Sequence, residues 1–178
     1  MGAQFAMKLA RIGALLRKVA DFITVFLVGY AFLCAFIMMF HIFADVVGRF
    51  LWVPLPGTLH IVSHWYMVGF IFLTIAYAER KKSHIEVTFV KERLPEGIRP
   101  YFDIFGLVLM FVIFFTFGWY TLPFALKALA IREYIEDVFL ITIWPVAWYL
   151  PIGCWALCAQ LLIHIGDSCA SLIRRQSR

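Results

Sequence analysis

Charged residues in this chain are confined to short stretches. Between them lie four runs without Asp, Glu, Lys or Arg, residues 22–44, 50–78, 104–126 and 138–166, of 23, 29, 23 and 29 residues. About 20 apolar residues at 1.5 Å each cross a hydrocarbon core of roughly 30 Å, so each run can span a membrane once as a helix and none can span it twice. Strands of a membrane barrel would alternate polar and apolar positions, and these runs do not. The pattern predicts an all-α integral membrane protein with four transmembrane helices in a single membrane domain. The spans are placed at 22–44, 59–78, 104–126 and 145–166. An amphipathic helix over 1–20 precedes them, outer loops fall at 45–58 and 127–144, an inner loop at 79–103, and a tail at 167–178. The first run is longer than a signal core and no small-residue cleavage site follows it, so it is expected to stay as an anchor.

Composition agrees with the pattern. Hydrophobic types make up 63% of the 178 residues and charged types 15%, against roughly 45–50% and about 25% in soluble domains. A soluble fold of this size could not hide so much apolar surface. The charge distribution then gives an orientation. Thirteen of the 16 Lys and Arg fall before the first span, between spans two and three, or after the last; only Arg49, Lys127 and Arg132 fall on the other side. The positive-inside rule places both termini in the cytoplasm. The net charge of +5 thus reflects topology and contact with anionic phospholipid, and nothing suggests nucleic acid. Cys34, Cys154 and Cys158 fall inside spans and Cys169 on the reduced side, so packing residues are expected and no disulfide.

The segments outside the spans have patterns of their own. Phe5, Leu9, Ile12, Leu16 and Val19 recur at helical spacing with Lys8, Arg11 and Lys18 around them, as in a helix lying in the membrane interface. In the first outer loop, a helix continuing past span one would set Asp45 and Arg49 on one face. Pro56-Gly57 turns the chain there, and Thr58 is a natural N-cap for span two. The loop is also apolar (Phe50, Leu51, Trp52, Val53), which suggests burial against the membrane or another protein. In the inner loop, Ser83 and Glu86 form a capping box and predict a helix along the membrane surface; an alternating strand over Ile85–Phe89 is the other reading. Trp144, Trp148 and Tyr149 form an aromatic belt at the outer end of span four, with Pro145 and Pro151 beside them and residues 138–144 as an outer lip.

Carriers place ionisable groups and broken helices near the midplane. The spans hold only a few polar side chains, Ser63, Thr74, Thr116 and Gln160 among them. That is poor lining for a path and favours an accessory or scaffold subunit, not an enzyme. Histidine offers two alternatives. His60 and His64 are one turn apart, a spacing that can ligate a metal. A haem could sit on His41 or His64 near the outer side, with His164 and His84 toward the inner side, as in membrane-anchor subunits of redox complexes.

Asp45-Val46-Val47-Gly48-Arg49 followed by Pro54-Leu55-Pro56-Gly57-Thr58 resembles the first outer loop of the small membrane subunit of tripartite ATP-independent periplasmic (TRAP) transporters. Ser83-His84-Ile85-Glu86-Val87 with Leu94-Pro95 resembles that family's His-Ile segment, and Trp144-Pro145 through Tyr149-Leu150-Pro151-Ile152-Gly153 the start of its last helix. One departure stands out: His60 occupies a place near the Pro-Gly-Thr turn where the family often has Glu. The resemblance implies a bacterial inner-membrane complex. A periplasmic substrate-binding protein captures an organic anion, a large membrane subunit moves it with sodium, and the small subunit is a fixed scaffold. Substrate and sodium sites would belong to the large subunit, so no catalytic, substrate-binding or metal residue and no cofactor is assigned here. Asp45, Arg49, Trp52, Pro56, Gly57, Thr58, His60, His84, Trp148, Pro151 and Gly153 are the interface and structural candidates the resemblance implies. Lys8, Arg11, Lys18, Arg80, Lys81 and Lys82 are candidates for the phospholipid interface.

Overall fold

In the computed structural model the described residues are 2–51, 53, 55–81, 98–136 and 140–176. Helix α1 runs unbroken over Gly2–Phe50. Helix α2 covers Thr58–Arg80, α3 Arg99–Ile131 and α4 Tyr149–Gln176. All four are long and apolar enough to cross a membrane. The continuity of α1 corrects one expectation. Residues 2–20 are the direct beginning of the helix that carries the first span, not a separate element. At 49 residues and 1.5 Å per residue, α1 is roughly 74 Å long, more than twice a hydrocarbon core. The expected surface helix starting at Ser83 lies outside the described residues.

Three further features depart from the pattern of runs. Gly57, not Thr58, is the N-cap of α2, with φ 75° in the left-handed region. Only glycine adopts that region without a Cβ penalty. The Thr58 hydroxyl donates back to the Leu55 carbonyl at 3.1 Å and so closes the turn from behind. The fold is also not purely helical. Tyr134–Glu136 (β1) and Leu140–Thr142 (β2) pair antiparallel, with Ile135 opposite Ile141. Of the lip expected at 138–144, Leu140–Thr142 form the second arm of a hairpin. A single 3₁₀ turn, Val146–Trp148, then feeds α4. The third feature is internal to α2, where Ile61–Met67 is π-helical.

Helix α4 is the centre of the bundle. It packs against α3 on one side and α2 on another, α1 packs chiefly on α2, and contact between α1 and α4 is slighter. Half of the α4 span is buried within the chain, against 6% for α3. Its small residues explain this. A Cβ on Gly153 would meet the Phe72 carbonyl carbon of α2 at 2.8 Å, and one on Gly118 of α3 would meet the Cys154 Cβ at 3.2 Å. Backbones approach closely at such points, which is how helices gain contact in lipid. Around them Leu73, Ala76, Cys154, Leu157, Cys158 and Leu161 are buried, with Val28, Ala31 and Cys34 from α1. The other faces of α1 and α3 remain open and apolar, with Phe22, Phe26 and Phe43 on α1 and Phe105, Tyr120 and Phe124 on α3 exposed.

Candidate functional site

Among the described residues, the buried polar side chains of the bundle lie toward its two ends. At the end carrying both termini, three helices contribute. Asp21 of α1 accepts from Arg80 Nε of α2 at 2.9 Å and from Gln160 Nε2 of α4 at 3.3 Å. The same Gln160 amide donates to Thr24 Oγ1 at 3.0 Å, and Thr24 donates to the Ala20 carbonyl at 2.8 Å. One turn further along α4, His164 Nδ1 meets Glu79 Oε1 of α2 at 2.5 Å. Arg17 of α1 is bidentate to Asp167 of α4. Thr24, Glu79 and Gln160 are almost fully buried, so these bonds satisfy groups that would otherwise be costly to bury.

At the opposite end, Asp45 is the organiser. Its carboxylate accepts from Arg49 Nε at 2.8 Å, one helical turn on, and from the Leu55 backbone N–H at 3.0 Å. The first ties down the last turn of α1; the second pins the chain just before Pro56-Gly57. Asp45 is buried while the Arg49 side chain is 65% exposed, so the acid works inward and the base faces outward. Nearby, His41 Nδ1 of α1 pairs with the Tyr66 hydroxyl of α2 at 3.3 Å. Trp65 Nε1 donates to the Thr142 carbonyl of β2 at 2.9 Å, which fastens the hairpin to the π segment. Tyr30 and Tyr149 share a hydroxyl bond of 2.6 Å, and Gly69 leaves room for the Tyr149 ring, whose Cε2 a Cβ would meet at 3.1 Å.

The structure separates the candidates taken from the sequence. Asp45, Arg49, Gly57 and Thr58 build one turn, with Pro56 exposed beside it. His60 lies at the entry to the π segment, Trp148 ends the 3₁₀ turn before α4, and Pro151 and Gly153 are buried at the start of α4. Trp52, His84 and Lys82 lie outside the described residues. Of the basic residues expected at lipid, Lys18 and Lys81 are exposed, Lys81 standing over the Tyr77 ring at 5.8 Å. Arg80 instead turns inward to Asp21, and Lys8 and Arg11 lie on the first turns of α1. Sequence reasoning missed the Asp21–Arg80–Gln160 and Glu79–His164 contacts. Asp21 and Glu79 flank the uncharged runs 22–44 and 50–78, and a pattern of runs gives such border residues no partner. The signal available was Gln160 and His164, polar residues in the same run and near one turn apart. Among the described residues, no three His, Cys, Asp or Glu side chains gather as metal ligands.

Four long apolar helices with polar groups clustered at the ends define a multi-pass α-helical membrane protein. Residues 38–170 match the family model described as the DctQ component of tripartite ATP-independent periplasmic transporters. The chain belongs to this family and is the small permease component of a TRAP transporter. No curated protein and no solved structure matches it.

Proposed function

We propose that this chain is the static, non-conducting brace of its transporter. It packs beside the large membrane subunit and offers the turn around Asp45–Thr58 as part of the surface where a periplasmic binding protein docks. Its termini lie in the cytoplasm of a bacterial inner membrane, its basic residues contact phospholipid there, and the cargo is an organic anion moved by the large subunit with sodium.

The observation that carries the reading is the separation of the polar groups. The buried polar side chains Thr24, Glu79 and Gln160 close on partners at one end, and Asp45 and Thr58 at the other. Between them the interior is Val28, Ala31, Leu73, Ala76, Leu157 and Leu161. Among the described residues the groups buried between the two ends are apolar or cysteine, so an ion or organic anion crossing this interior would lose its water with little to replace it. The orientation rests on the basic residues in the three segments that flank four of the helix ends. The redox-anchor alternative has no support in the family match.

The test uses the close approach of α3 and α4. Gly118→Cys would place its Cβ 3.2 Å from that of Cys154, near the separation that a disulfide bridges. Oxidation then locks two helices of this subunit together. A static brace leaves uptake by the assembled transporter unchanged after oxidation. Uptake that falls on oxidation and returns on reduction, with Cys154→Ser as the control that cannot cross-link, overturns the proposal.

A further inference from the structure

We propose that His60 and His64 form a two-imidazole site for a divalent transition-metal ion of the zinc, nickel and copper class. His60 ends the α-helical first turn of α2, and His64 lies four residues on, inside the π segment. Their ring centroids lie 6.0 Å apart with the planes tilted by 33°. Two imidazoles on one tetrahedral ion, with metal–nitrogen bonds of about 2.0–2.1 Å, put their ring centres roughly 5 Å apart. Small side-chain rotations close that difference.

The π segment prepares one ligand. His64 Nδ1 lies 3.0 Å from the His60 carbonyl and 3.0 Å from Ser63 Oγ. The carbonyl can only accept, so Nδ1 carries the proton and donates. The Ser63 hydroxyl in turn donates to the same carbonyl at 3.3 Å. Proton and ring orientation are thereby fixed, and in the neutral imidazole the lone pair sits on Nε2. Histidine ligands are commonly oriented this way, through a second ring nitrogen bonded to a backbone carbonyl. Nitrogen donors select transition ions over calcium and magnesium, which take oxygen. Both histidines are half-buried in the first turns of α2, next to the outer loop, so the ion is reached from that end.

The experiment uses the assembled transporter, purified through a tag that contains no histidine, with copper(II) and zinc(II) as probes. One equivalent of copper should give an electron paramagnetic resonance signal split by two imidazole nitrogens, and zinc should displace it. His60→Gln and His64→Gln should each lose at least tenfold in zinc affinity and leave one coupled nitrogen. Ser63→Ala should lose several-fold while keeping both nitrogens, because only the orientation of His64 is relaxed. Equal binding by wild type and the double variant overturns the proposal. So does a copper signal without paired imidazoles in the wild-type complex, a result that does not depend on any variant folding.

Discussion

Replacing Gly153 with Ala tests how the bundle is held. The added Cβ would stand 2.8 Å from the Phe72 carbonyl carbon, about 1 Å inside ordinary van der Waals contact of roughly 3.5–4.0 Å. The obstacle is backbone, so no side-chain rotation relieves it, and α2 and α4 must part. Leu73 and Ala76 on α2, and Leu157 and Leu161 on α4, are buried at this contact, so parting the helices also loosens them. Overpacking of this kind costs about 1–3 kcal/mol. In a chain of 178 residues each kcal/mol shifts the melting midpoint by about 2–4 °C, which gives a fall of roughly 2–12 °C. The assay is heating of the detergent-purified transporter followed by size-exclusion of the surviving complex. Gly166 is the matched control on the same helix, since a Cβ there meets nothing within 4 Å. Gly166→Ala should be neutral or gain up to about 1 kcal/mol from helix propensity. A Gly153→Ala variant as stable as wild type would refute the close-approach argument.

Other consequences can be checked separately. Glu79→Ala and His164→Ala should each cost about 1–3 kcal/mol by leaving a buried polar partner unsatisfied; the double variant should cost less than their sum, and strict additivity in thermal stability would deny the coupling. Asp45→Ala frees the Leu55 N–H and Arg49 together, so limited proteolysis around residues 51–57 should speed up, while Arg49→Ala should change cleavage little and instead weaken uptake or complex yield. Charge reversal at Lys8, Arg11 and Lys18 should lower the amount of assembled complex in membranes, measured by quantitative blotting, if these residues meet anionic phospholipid.

Much of the architecture was legible because lipid imposes a coarse rule: a spanning segment must be long, apolar and helical. The four runs therefore became four helices, and the Asp45–Arg49 spacing became an ion pair. What escaped notice depends on finer energies. The hairpin of Tyr134–Glu136 with Leu140–Thr142 lies partly inside the run 138–166, so counting charges assigned its second strand to the approach to a span. Its residues Tyr134, Ile135, Ile141 and Thr142 have strand character, but three residues are too few to outweigh a 29-residue apolar stretch. The π segment has no composition of its own. Within it, Trp65 reaches the hairpin, Tyr66 reaches His41, and His64 turns back on His60, and those tertiary contacts are invisible in a single sequence. Gly57 took the cap from Thr58 because the turn needs a positive φ, a backbone demand that overrides the usual side-chain cap.

Water does not drive apolar helices together inside a bilayer, since lipid tails are as apolar as leucine. The exposed phenylalanines of α1 and α3 therefore contribute nothing to holding this chain closed. Helix order must come from contacts that lipid cannot replace, and the structure has two kinds. One is close backbone approach at Gly69, Gly118 and Gly153. The other is polar bonding between helices, with Asp21, Gln160 and Glu79 at one end and Tyr30, His41 and Trp65 toward the other. Both kinds converge on α2 and α4, which carry Gly69 and Gly153 and most of the polar partners. That inner pair anchors contacts from α1 and α3 on their inner sides and leaves the outer apolar faces of both unspent. A subunit built this way keeps its shape whichever of those faces a larger partner covers.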